Sequence, residues 1–144
     1  CLLCDSDVVN INTSKEELRE LGISVFDCDN GNSIEQQLFA DLSWEQIIQL
    51  VDYRLQIDGF DNQSVFQSVY SQQQNTPEFS EDWYKTENKE LRSALGSVSK
   101  KNGWYKRIDH GEIIGKIIFD DFNNLDVDKK TKQMFEQLSS WIDS

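Results

Sequence analysis

The sequence predicts an α/β fold: a small parallel β-α-β core followed by a largely helical C-terminal remainder. Three observations carry that expectation. An apolar stub, Cys1-Leu2-Leu3-Cys4, is followed at once by Asp5-Ser6-Asp7. The alternating segment Ile23-Ser24-Val25-Phe26-Asp27 comes about one crossover unit later. From Ser43 onward the apolar residues recur at helical rather than strand spacing.

Taken in order, the stub reads as a short buried strand ending in two acids. Asn10 to Thr13 is a polar loop, and Ser14-Lys15-Glu16-Glu17 is a capping-box pattern that starts a helix running to about Leu21. Gly22 fits its C-terminal cap. Ile23 to Asp27 is then the second strand, and a right-handed crossover makes the two strands parallel. Cys28 to Asn32 carries turn residues, and Ser33-Ile34-Glu35-Gln36 repeats the capping pattern, which puts Glu35 in the first turn of a helix.

A third box, Ser43-Trp44-Glu45-Gln46, opens an amphipathic helix through Ile47, Ile48, Val51 and Leu55. Val65, Phe66, Val69 and Tyr70 mark the next helix behind Asp61. Gln72 to Asp82, with the only proline, Pro77, reads as a polar loop and the most mobile stretch. Leu91, Ala94, Leu95 and Val98 define a helix ended by Asn102-Gly103; Ile113, Ile114, Ile117 and Ile118 define another. Met134, Phe135, Leu138, Trp141 and Ile142 form the last. Residues 1–144 are expected to fold as a single unit, with 1–42 as the β/α carboxylate core and 43–144 as the helical portion. Two strands are too few for a stable sheet. Their partners are expected upstream of Cys1, in a second copy of the chain, or in a further strand within Cys28 to Ser33 or near Phe119.

The 144 residues carry 26 acidic and 14 basic side chains, a formal charge of −12. Most of such a surface repels phosphate backbones, so nucleic-acid contact needs local relief from bound cations or a basic patch. No apolar run reaches the length of a membrane span, and the opening lacks the features of a signal peptide; the expected location is cytoplasmic. Cys1, Cys4 and Cys28 are read as packing residues rather than as a metal or redox set, because the only histidine, His110, lies far from them in sequence.

Asp5, Asp7 and Glu35 are the candidate metal ligands. Acids spaced by one residue share a face of an extended chain. The carboxyl edge of a parallel sheet is where open α/β folds hold ligands, and clustered carboxylate oxygens suit Mg²⁺ or Mn²⁺. Asp27 and Asp29 lie near the same edge. His110 is read as a helix-surface or capping residue, Trp104-Tyr105 as a core pair, and the Asp120-Asp121 and Asp126-x-Asp128 pairs as caps and solvated loop.

The order of these motifs, Asp5-x-Asp7 after a strand, Ser33-x-Glu35 opening a later helix, Gly31 through Trp44, and Trp104-Tyr105-Lys106 far downstream, resembles the C-terminal part of the Toprim nuclease domain of OLD-family ATP-dependent endonucleases. The resemblance implies a truncated Toprim-like core and metal-dependent hydrolysis of DNA phosphodiesters. It implies Asp5, Asp7 and Glu35 as metal ligands, with Lys106 as the catalytic lysine beside the scissile phosphate. It also implies DNA and an ATPase domain of the same parent chain as partners, ATP bound only on that missing part, and a role in antiviral defence. The Toprim strand that bears a glutamate is not in this sequence, so the chain by itself is expected to be inactive. A homo-oligomer is the remaining partner expectation. Two other readings stand beside it: a haloacid-dehalogenase-like phosphatase, with Asp5 phosphorylated and Asp7 as acid/base, and a non-catalytic acidic helical interaction module.

Overall fold

The structure is a computed structural model. It describes residues 1–6, 11–29, 31–57, 59–71, 73 and 75–144, and for 11–13 the backbone alone. Two short strands, β1 (Leu2–Cys4) and β2 (Val25–Asp27), pair in parallel with Leu2 opposite Val25 and Cys4 opposite Asp27. Helix α1 (Ile11–Glu20) connects them. Six more α-helices follow among the described residues: α2 (Ile34–Asp41), α3 (Trp44–Gln56), α4 (Asn62–Tyr70), α5 (Lys89–Asn102), α6 (Gly111–Asp120) and α7 (Lys130–Ile142). The fold is therefore mixed α/β, with a minimal parallel sheet and a predominantly helical body.

Two boundaries differ from expectation. Helix α1 starts at Ile11, so Ser14 lies inside it rather than capping it. Ser14 and Glu17 are both solvent-exposed, and Ser-x-x-Glu on an exposed face is as compatible with helix interior as with a cap. Strand β2 starts at Val25 instead of Ile23 because the preceding backbone is committed elsewhere. The Ile23 N–H donates to Leu18 O at 3.0 Å and the Gly22 N–H to Arg19 O at 3.0 Å. These two bonds form a Schellman closure of α1, with Gly22 at φ +78°. No further strand occurs at residues 28–33 among those described, and Phe119 lies in α6.

The Ser33-Gln36 and Ser43-Gln46 boxes form as the sequence predicts, each serine accepting from the backbone N–H of the glutamine while the glutamine reaches back to the serine. Asp61 caps α4, accepting from Ser64 N at 2.9 Å. Gly103, in the left-handed region at φ +59°, ends α5.

The apolar core runs from α2 through α6. Phe39, Leu42, Ile47, Leu50, Val51 and Leu95 are almost completely buried. Helices α2 and α5 share the most extensive helix contact, and Gly96 permits a close approach there: a Cβ built on it meets Gln36 Cα at 3.2 Å and Phe39 Cβ at 3.3 Å. Trp83 and Tyr84, which no periodic pattern signals, are also buried. Trp83 joins Phe66, Tyr70 and Phe79 in an edge-on aromatic cluster and donates its indole N–H to Asn62 Oδ1 at 2.7 Å. Asn62 in turn donates to Glu81 O at 2.9 Å, tying the segment after Pro77 to the start of α4.

Buried helix ends are satisfied across the fold rather than locally. Arg92 of α5 donates to Phe39 O at 2.9 Å and Leu42 O at 2.8 Å, at the end of α2. Gln46 of α3 donates to Ile117 O and Ile118 O at 3.0 and 3.1 Å, at the end of α6. Because the last carbonyls of a helix have no partner within it, replacing Gln46 with leucine strands two acceptors in the interior. Gln46→Leu is expected to lower unfolding free energy by about 1–3 kcal/mol, read as a reduced midpoint in urea denaturation with the slope unchanged.

Candidate functional site

The carboxyl edge of the sheet is assembled around Ser6, a residue the motif reading passed over. Its N–H donates to Asn32 O at 2.9 Å, its carbonyl accepts from Gly31 N at 3.2 Å, and its hydroxyl donates to Cys28 O at 2.9 Å with Asp29 O as a second acceptor. Ser6 is buried. The turn after β2 is thereby wrapped onto the end of β1, with Gly31 at φ +88° taking the conformation a side chain would resist. The signal available in sequence was a small hydroxyl residue between two acids.

Gln37 holds the other side of that turn. Its Oε1 accepts from Asp29 N at 2.9 Å and Asn32 Nδ2 at 3.1 Å. Its Nε2 donates to Asp41 Oδ2 at 2.9 Å and Asp29 Oδ2 at 3.3 Å. Gln37 is 1% exposed, so each polar atom needs such partners. Asp41 passes the connection to α7 by accepting from Thr131 N at 2.7 Å.

This scaffold determines where the candidate ligands lie. Asp5 follows β1 and reaches the start of α2, its Oδ1 accepting from Ile34 N at 2.6 Å. That carboxylate therefore satisfies one of the unpaired N–H groups of the helix and lies in its positive end field. Glu35 is the next residue of the same turn, its side chain 14% exposed, and its Oε1 stands 4.0 Å from Lys106 Nζ. Lys106 follows the Gly103 cap, its stem beside Gly103 and its head exposed. Asp5, Glu35 and Lys106 line one cleft of about 430 Å³, whose other wall residues include Leu38, Tyr105, Ile114 and Phe135. Three of the four site residues read from the sequence are brought together. The fourth, Asp7, lies outside the described residues.

Asp27 and Asp29 are differently engaged. Asp29 is held by Gln37, while Asp27 is surrounded by Lys15, Arg19 and Lys130. Among the described residues, no three His, Cys, Asp or Glu side chains converge as a metal-ligand group.

The downstream residues fall into place by packing. Trp104 is buried, and the Tyr105 hydroxyl donates to Leu50 O at 2.8 Å; burial pushes that phenol well above its ordinary range. Trp104 belongs to the core, while Tyr105 packs against it, partly buried, and forms part of the cleft wall. His110 departs from its expected surface or capping role. It is 4% exposed, makes no side-chain cap, and packs edge-on against Tyr53 at 5.8 Å between ring centroids, with Nδ1 lacking a hydrogen-bond partner among the described residues. The short Ile108–His110 turn before α6 rolls it inward, a rotation that the helical spacing of the following isoleucines does not report. Lys132 donates to Asn123 O and Leu125 O at 3.2 and 2.8 Å, which closes the turn ahead of Asp126.

Cys1, Cys4 and Cys28 are all free thiols. Burial raises Cys4 and, more strongly, Cys28, which is pushed up to about 12. A thiol raised in the folded state keeps its proton there while the unfolded chain loses it. This contribution to stability is therefore complete below the ordinary thiol pKa near 9 and is lost as pH rises from about 9 toward 12. At pH 8 Cys28 should hold far less thiolate than a thiol of ordinary pKa. Alkylation of the native chain followed by peptide mass mapping should label Cys1 rapidly and Cys28 only after denaturation.

No protein-family model, curated protein or solved structure matches this chain.

Proposed function

We propose that this chain carries the carboxylate edge of a Toprim-like, metal-dependent endonuclease that hydrolyses DNA phosphodiesters. The supporting observation is the convergence of Asp5, Glu35 and Lys106, drawn from three separate segments, on the wall of one cleft. Their order along the chain and their placement after β1, in the first turn of α2 and beyond α5 agree with the resemblance that the motifs raise.

The donor set fits a hard divalent ion. Asp5 keeps Oδ2 without a partner among the described residues while Oδ1 is anchored by Ile34 N, and Glu35 is held at the same helix start. Mg²⁺ is commonly bound through one or two carboxylates, with water and substrate phosphate completing the set, so Asp5 and Glu35, joined by Asp7 of the same motif, are the residues that would hold it. When bound, such an ion supplies Lewis-acid stabilisation of a phosphoryl oxygen and lowers the pKa of bound water. The chain's own contribution is positional. The N–H of Ile34 fixes the Asp5 carboxylate. The apolar wall around Leu38, Ile114 and Phe135 limits water and strengthens local electrostatics. Lys106 places a positive charge where negative charge develops on a phosphate. DNA and an ATPase partner domain belong to this reading, as does a role in antiviral defence.

Lys106 and the carboxylates should respond to substitution with opposite sign. Mn²⁺ titration of the whole chain, followed by the loss of its free-ion paramagnetic signal, is expected to give binding weakened at least about tenfold by Glu35→Ala or Asp5→Ala. Lys106→Ala, which removes a cation 4.0 Å from Glu35, should leave the affinity equal or higher. Binding indifferent to both carboxylate changes would sink the proposal and favour a non-catalytic interaction module.

A further inference from the structure

A second cluster of charge occupies the sheet edge at the end of β2, and the metal reading leaves it unused. Lys15 Nζ and Arg19 Nη2 both lie 3.4 Å from Asp27 Oδ2, and Lys130 Nζ lies 3.9 Å from Asp27 Oδ1. Three cations thus face one carboxylate, a local excess of two positive charges in a chain whose net charge is −12. Such an excess is costly to hold in place without a further anion.

Lys15 is the buried member of the cluster. Its side chain is only 2% exposed, and its ammonium, with three donors to satisfy, makes no hydrogen bond among the described residues. Its ion pair among the described residues is with Asp27, and its charge also acts on the nearby Cys4 thiol. Arg19 and Lys130 are 47% and 29% exposed, so the cluster is open to solvent on their side while Lys15 charges it from beneath. Lys130 is also the first residue of α7, whose next N–H, of Thr131, is already taken by Asp41.

We propose that Lys15, Arg19 and Lys130, gathered around Asp27, form a phosphate-binding site. A phosphate group carries a charge near the local excess and presents several strong acceptor oxygens. The arginine offers paired donors for them, and the two lysines act as point charges. Asp27 holds the cations together in the absence of ligand and competes with the anion for them. The site requires no divalent ion, so it stands independently of the metal proposed at Asp5 and Glu35.

The test is a titration of the whole chain with inorganic phosphate in the presence of a chelator at fixed ionic strength, followed by amide chemical shifts. Saturable shifts are expected at residues 15–19 and 130–132. The double variant Arg19→Gln, Lys130→Gln, altered only at partly exposed positions, should bind at least about tenfold more weakly. Asp27→Asn should bind several-fold more tightly, because the competing carboxylate charge is gone. An ion-pair tie between α1, β2 and α7 with no ligand role predicts the reverse: no saturable shifts in the parent chain and no gain from Asp27→Asn. Either result overturns the site. Titrations with thymidine monophosphate and with a 5′-hydroxyl oligothymidylate then separate the sources. Tighter, strongly salt-dependent binding of the oligonucleotide assigns the site to a nucleic-acid backbone, and tighter binding of the monophosphate assigns it to a free phosphomonoester.

Discussion

The carboxylate of Asp41 joins parts of the chain 90 residues apart, and the geometry of the candidate site depends on it. It receives the Gln37 amide from one side and the first turn of α7 from the other. Through Gln37 it fixes the turn after β2, and through that turn it fixes Ser6 and the exit of β1. A buried acceptor with two good donors is satisfied; with one removed, the interior would hold an unpaired charge, which is far more damaging than the bond itself is stabilising. The polar seam from Ser6 to Thr131 therefore specifies one arrangement of sheet edge and helix starts. An apolar seam of the same volume would allow several.

Much of this organisation was legible where the determining interaction is local. The boxes at Ser33-Gln36 and Ser43-Gln46 close within four residues, and the Gly22 and Gly103 closures rest on a conformation that glycine adopts readily. Asp5 and Glu35 could be placed on one edge because the parallel crossover follows from chain handedness. The start of α1 was misread because an exposed serine three residues before an exposed glutamate carries no information about which side of the helix boundary it occupies.

What could not be read depends on distant partners. Gln37, Gln46 and Asp41 look like ordinary polar helix residues, yet each is buried because another element brings an unpaired backbone group to it. Trp83 and Tyr84 sit in irregular chain, where no period exists to mark them as core. Lys15 and Lys130 are 115 positions apart and acquire common meaning only when α1 and α7 flank the same strand. His110 turned inward because a single short turn sets its direction, and a helical count begun at the next element has no access to that phase.

The absence of a side chain at Gly96 has a consequence beyond packing. The gap it leaves lets the backbone of α5 press against the first turns of α2, where Glu35 is located, while the far end of α5 delivers Lys106. Interhelical separation at this one contact is thus a mechanical lever on the spacing between the acid and the lysine. The charges lining the cleft thus owe their spacing in part to a residue that does not line it.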